Sequence, residues 1–174
     1  MTESNGKSAF LVDPNSDPVV VRVLGRASLN NSAALRDFIT EMAARGRIRF
    51  VLDFDNCQSM DSTFLGVLAG AALQLCRRKP PGGIVLARLG ARNLELIRNL
   101  GLQRILTVDS GDLPLQFEGC DKSLVGAERP ALERARLALE AHENLVSADE
   151  ANLGKFQDVL VYLRDRVSRH GGSG

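Results

Sequence analysis

Residues 48 to 83 carry the pattern that most constrains this chain. Phe50-Val51-Leu52 is a short apolar run that stops at Asp53-Phe54-Asp55-Asn56, and Leu65, Leu68, Ala72 and Leu75 then recur at helical spacing. A run of that length suits a strand covered on both faces, and the later spacing marks one face of a helix. The helix closes at Arg77-Arg78-Lys79 and Pro80-Pro81-Gly82-Gly83. Three cations in a last turn oppose the helix dipole and the prolines stop the helix, so this basic cluster needs no ligand.

The same alternation runs through the first half of the chain. Val19-Val20-Val21-Arg22-Val23-Leu24 is β-branched and reads as a strand, with Phe10-Leu11-Val12 pairing to it through the Pro-rich and Ser-containing segment from Asp13 to Pro18. Asn30, Asn31 and Ser32 start a helix carrying Leu35, Phe38, Ile39 and Met42, which ends by Gly46. Ile84-Val85-Leu86-Ala87 predicts another buried strand, Asn93 to Leu100 a third helix, and Ile105 to Val108 a last strand. Strands separated by helices predict an α/β fold with substantial parallel pairing and right-handed crossovers.

Beyond Asp109 the pattern changes. Gly, Pro, Asp and Ser are scattered up to Ala127, which predicts a loop or linker, free or laid against the domain. After Pro130, Leu132, Ala135, Leu139, His142 and Val146 share a helical stripe, and Leu153, Phe156, Leu160, Leu163 and Val167 repeat it. Ser147 precedes Glu150 by three residues, the spacing of a capping box, so a helical hairpin is expected. Its apolar stripes are expected on its own domain, with a homodimer through these helices as the alternative. The organisation is a flexible N-terminus (1–9), a mixed-sheet α/β domain (10–110), a linker (111–128), a C-terminal helical hairpin (129–170) and a flexible tail (171–174).

Composition narrows the function classes. Lys and Arg total 22 against 21 Asp and Glu, so no long-range field gathers nucleic acid or an acidic membrane. The absence of a signal-like apolar segment and of a membrane-length apolar run leads to the expectation of a cytoplasmic protein. Cys57, Cys76 and Cys120 are odd in number and widely spaced, which predicts buried free thiols rather than disulfides or a metal knuckle.

Chemistry-bearing patterns are sparse. His142 and His170 both lie in the C-terminal appendage, far in sequence from any plausible nucleophile, and His142 is expected to pack half-buried on its stripe. Hydrolase elbows, P-loops and dinucleotide turns are missing. The acidic set Asp53, Asp55 and Asp61 flanks a strand end but matches no metal loop, and is expected to cap helices, accept backbone amides or face water. No enzyme, cofactor or metal site is expected. Ser62 follows Asp61 at a helix start, where local physics allows it to be a cap or a switch.

The segment from Val51 to Leu68, with Asp61-Ser62-Thr63-Phe64-Leu65-Gly66 at its centre, resembles the strand, loop and helix-start signature of STAS domains. Gly25 with the Ala33-Ala34-Leu35-Arg36 helix, and Asn93 to Leu102, extend the resemblance to roughly residues 10 to 110. The likeness is to the anti-sigma-factor antagonist type. It implies a bacterial partner-switching module that binds an anti-sigma factor with serine-kinase activity while Ser62 is unphosphorylated. It also implies a serine phosphatase acting on phospho-Ser62. Thr63 is the alternative acceptor, and Asp55, Asn56, Asp61, Ser62, Thr63 and Phe64 are the implied partner-binding residues.

Phe64 stands where many relatives have Gly, and either anchors a partner, closes the approach to it, or packs inward. Ser28 to Asn31 stands where many carry an acidic residue. Two other readings compete: a constitutive STAS subunit of a transporter or signalling assembly, and a small-ligand sensor at the strand ends near Asp53 and Ser62.

Overall fold

The computed structural model describes residues 9 to 171 apart from Leu115 and Ala127. The expected flexible ends therefore lie almost wholly outside the described residues. In chain order the elements are β1 (Phe10–Asp13), β2 (Val19–Val23), β3 (Gly25–Ala27), α1 (Leu29–Ala44), β4 (Arg49–Asp53), β5 (Cys57–Met60) and α2 (Ser62–Cys76). These are followed by β6 (Gly83–Ala87), α3 (Ala91–Asn99), β7 (Thr107–Val108), β8 (Lys122–Ser123), α4 (Ala131–Ala148) and α5 (Asn152–Gly171).

The fold is the expected α/β class. One six-stranded mixed sheet has the order β7-β6-β4-β2-β1-β8. β1 and β2 form the antiparallel pair, with Phe10 opposite Val23, while β2, β4, β6 and β7 run parallel. Phe50, Val51 and Leu52 on β4 are all buried, as a central strand covered on both faces requires.

Two short strands escape the sequence pattern. β3 and β5 pair in parallel as a separate ribbon, with Ala27 opposite Met60. Gly25 has φ +68°, a left-handed conformation that favours glycine, where the chain leaves β2. The Asp61 amide then donates to the Ala27 carbonyl at 3.0 Å, which sets the starts of α1 and α2 side by side. α1 begins slightly earlier than expected because Ser28 is its cap: the Asn30 amide donates to Ser28 Oγ, and Asn31 Oδ1 accepts from the Ser28 amide.

The segment read as a linker is partly ordered into the fold. β8 pairs antiparallel with β1, Cys120 is buried, and Phe117 lies beneath Arg22 and Arg88 at 5.0 and 4.9 Å. β1 would otherwise expose an unpaired edge, and two residues of β8 are too few to leave a periodic signal.

α2 explains the appendage. Ten of its fifteen residues are buried, so it is apolar on more than one face and needs cover on both sides. Leu65, Leu68, Ala72 and Leu75 join the core shared with the sheet and α1, while Val67 faces Leu137 and Ala141 of α4. Fully burying a side chain of this size stabilises by roughly 1.5–3 kcal/mol. The hairpin thus packs on its own domain.

The hairpin turn differs from expectation. α4 continues through Ser147 to Ala148, so Ser147 cannot cap the next helix. Asp149 makes the turn instead, donating its amide to the Leu145 carbonyl and accepting from the Ala151 amide. The buried face of α4 is centred on Ala135, Ala138, Ala141 and Leu145, leaving Leu139 and Val146 half-exposed. Small residues win there because the two helices approach closely. Leu153 of the second expected stripe is exposed, whereas Leu160 and Leu163 are buried.

Candidate functional site

Two adjacent residues at the start of α2 do different jobs. Asp61 is the cap: Oδ1 accepts from the Phe64 amide and Oδ2 from the Leu29 amide, each at 2.8 Å, so one carboxylate ties down the first turns of both α1 and α2. A cap role for Ser62 is therefore corrected. Its hydroxyl is released from helix capping, and Ser62 stays half-exposed.

That hydroxyl meets a residue the sequence kept apart from it. Ser62 Oγ lies 2.9 Å from His142 Nε2, across 80 positions of chain. His142 is 5% exposed, and its ring lies edge-on to Phe156 of α5 at 5.1 Å. Its Nδ1 lies 2.6 Å from the Ala138 carbonyl oxygen. A carbonyl only accepts, so Nδ1 carries hydrogen and, in the neutral ring, Nε2 accepts from the Ser62 hydroxyl. Both histidines are far in sequence from any nucleophile, but the fold brings His142 to Ser62, and the expected half-buried packing residue is instead buried and hydrogen-bonded. Helical periodicity places His142 on a stripe but does not say which helix the stripe meets.

The other expected site residues divide by burial. Phe64 points inward: it is fully buried, stacks on Phe10 at 6.2 Å and meets Phe54 edge-on at 6.4 Å. Neither the partner-anchor nor the approach-closing reading of Phe64 fits that orientation. Thr63 is buried too, whereas Asp55 and Asn56 are exposed on the loop after β4.

Asp53 is not a free acid. It is 1% exposed and receives two hydrogen bonds from Arg88, from Nε at 2.8 Å and Nη2 at 2.7 Å, with Arg22 Nε at 3.9 Å. The hydrogen bond to Asp53, with both nearby carboxylate charges, raises the Arg88 guanidinium above its ordinary value. Arg88 reaches this geometry with φ +54°, a strained backbone for a residue with a side chain. The acidic set is thus a buried ion pair, an exposed Asp55 and a capping Asp61. Among the described residues, no group of three His, Cys, Asp or Glu is placed to hold a metal ion.

Beside Ser62 opens a cleft of about 550 Å³ between α2, α3 and α5, with Leu65, Leu96, Leu100 and Phe156 as its apolar walls. Asn99 and Lys155 add its polar groups, and the Lys155 ammonium donates to the Asn99 carbonyl. Sequence reasoning missed Lys155 as well as His142. One available signal was Gly66 and Gly70, four residues apart on α2, where a Cβ would collide with Ala141 and Asn144 of α4. Such spacing marks a helix face built for close approach by another helix.

Of the cysteines, Cys120 is buried, Cys57 half-buried and Cys76 exposed, so the expectation of buried thiols fails at Cys76. Among the described residues, no helix is long and apolar enough to cross a membrane.

Comparison with known proteins fits this architecture. An anti-sigma factor antagonist from Mycobacterium paratuberculosis superposes with a TM-score of 0.52 at 21% identity, over 61% of this chain and 88% of that one. The anti-sigma factor antagonist SpoIIAA in its unphosphorylated form gives a TM-score of 0.46 at 20% identity, over 52% and 82%. The phosphorylated Bacillus cell fate determinant SpoIIAA gives 0.48 at 19%, over 59% and 92%. No curated protein matches the chain. The family model described as "Mlab, STAS domain" matches residues 10–108, more than half of the sequence. With the mixed sheet and the Asp61-capped helix in place, the chain belongs to the STAS-domain family.

Proposed function

We propose that this STAS protein is an anti-sigma-factor antagonist in a bacterial partner-switching pathway, a non-enzymatic module whose binding is gated by phosphorylation of Ser62. The observation that carries this reading is the division of labour at α2: Asp61 holds the cap, which leaves half-exposed Ser62 free of capping and on the wall of an open cleft. Thr63, the alternative acceptor, is buried. The kinase-type anti-sigma factor transfers the terminal phosphoryl group of a nucleoside triphosphate to Ser62 Oγ, and a serine phosphatase removes it.

Asp55, Asn56, Asp61 and Ser62 form the outward part of the partner surface, with Phe64 and Thr63 supporting it from within. A phosphate adds roughly 1.5–2 negative charges at pH 7 to that surface, enough to disfavour a complementary interface. Intact-mass analysis with peptide mapping, on protein from its native cell under two stress conditions, tests the reading. A condition-dependent phosphate on Ser62, lost in Ser62→Ala, is the expected result. Equal binding of an anti-sigma partner by Ser62→Ala and Ser62→Asp would sink it.

A further inference from the structure

We infer that the α4–α5 hairpin is the intramolecular reader of Ser62: once phosphorylated, the serine is held by His142 and Lys155, and the hairpin is locked over α2. The inference rests on Ser62 being the phosphorylated residue, and adds that the switch is read within the same molecule.

The hydroxyl, the imidazole and the cleft form one unit. Ser62 donates to Nε2 of a nearly buried ring whose other nitrogen is fixed by the Ala138 carbonyl. The groups facing His142 are Ser62 from α2, Phe156 from α5 and Ala138 from its own helix, with Lys155 of α5 on the wall of the adjoining cleft. Among the described residues that line the cleft there is no carboxylate, and both oxygens of neighbouring Asp61 are taken by the Leu29 and Phe64 amides. The Ser62 and Thr63 amides precede the first helical bond, from the Leu65 amide to the Asp61 carbonyl, and so add the positive end of the helix dipole. A dianion tethered at Oγ thus has an open volume with Lys155 on its wall, and His142 Nε2 stands at Oγ itself.

The chemistry balances on these groups. As the bond from Oγ to phosphorus forms and the bond to the departing nucleoside diphosphate breaks, the hydroxyl proton passes to Nε2, whose lone pair it already faces. A phosphate ester offers only acceptors at neutral pH, so the imidazolium donates to it while Nδ1 keeps the Ala138 carbonyl. The exposed Lys155 side chain supplies the second charge from α5. One neutral hydrogen bond is replaced by charge-assisted ones, which are roughly twice as strong. The hairpin then withholds the outer face of α2, where Gly66, Val67 and Gly70 meet α4.

Hydrogen exchange on the full chain tests this, with phosphoserine installed at position 62 by genetic code expansion and compared with unmodified protein. Amides of α4 and α5 are expected to exchange about tenfold more slowly in the phosphorylated chain. Lys155→Ala, at an exposed position, and His142→Ala are each expected to remove most of that difference. If His142→Ala loosens the hairpin before phosphorylation, the Lys155→Ala pair decides. Unchanged or faster exchange on phosphorylation overturns the proposal, as does full slowing in Lys155→Ala. Because the phosphate is installed rather than enzymatically added, this failure is separate from a failure to find phospho-Ser62 in the cell.

Discussion

Phe64 shows what a single side chain does for the start of α2. It sits between Thr63 and Leu65 in the segment that carries the family likeness, yet it closes an aromatic cluster with Phe10 and Phe54 beneath the helix start. Truncating a fully buried phenylalanine removes its transfer free energy and leaves a cavity. Phe64→Ala is expected to lose about 3–5 kcal/mol in urea unfolding, against about 1 kcal/mol for Ser62→Ala, which forfeits one hydrogen bond. Equal losses would contradict the inward orientation. The identity of Phe64 was readable in sequence, but its direction was not, because one helix turn presents residues both to the sheet and away from it.

At the scale of elements, the decisive contact is between α2 and α4. Gly66 and Gly70 let the α4 backbone approach, and Asn144 Nδ2 donates to the Gly66 carbonyl at 3.2 Å. Asn152 secures the far end, donating to the Leu100 and Leu145 carbonyls at 3.0 and 2.8 Å from a fully buried position. Gly66→Leu would place a side chain inside the Ala141 backbone, where no flexible atom can yield. Limited proteolysis of that variant is expected to cut within residues 109–151 at protease levels that leave the wild-type chain intact. Resistance equal to wild type would show that the hairpin does not depend on this close approach. The hairpin itself was legible from two helical stripes, whereas its docking site was not: Ala141 and Asn144, which face the glycines, carry little periodic signal.

For the molecule as a whole, the long-range ties are those that sequence distance conceals. Asp53 with Arg22 and Arg88 closes the strand ends, and Phe117 spreads over both guanidinium groups, so the segment after β7 is fastened to the sheet. Burial is also the main cause of the raised Cys57 and Cys120 thiols. A raised folded-state value means the folded chain keeps these protons to higher pH than the unfolded chain does. The stability linked to them is therefore complete below the ordinary thiol value of about 8.5 and is lost as pH rises through the folded values. Urea midpoints are expected to fall above that pH, and the Cys57→Ala/Cys120→Ala double variant to show a smaller fall. Exposed Cys76 is expected to alkylate first; faster labelling of Cys120 would place it outside the core.

The amino-acid sequence alone determined the α/β class, the strands with strong apolar runs, the helix behind Ser62 and the existence of a C-terminal hairpin, because each is written in local periodicity and turn residues. It left Ser62 divided between cap and switch. Tertiary structure resolved the cap in favour of Asp61, joined Ser62 to His142 and opened the cleft that reaches Lys155, since these follow from which surfaces α2 must cover. An apolar helix demands a partner on every buried face, but a linear pattern does not say which distant segment will supply it.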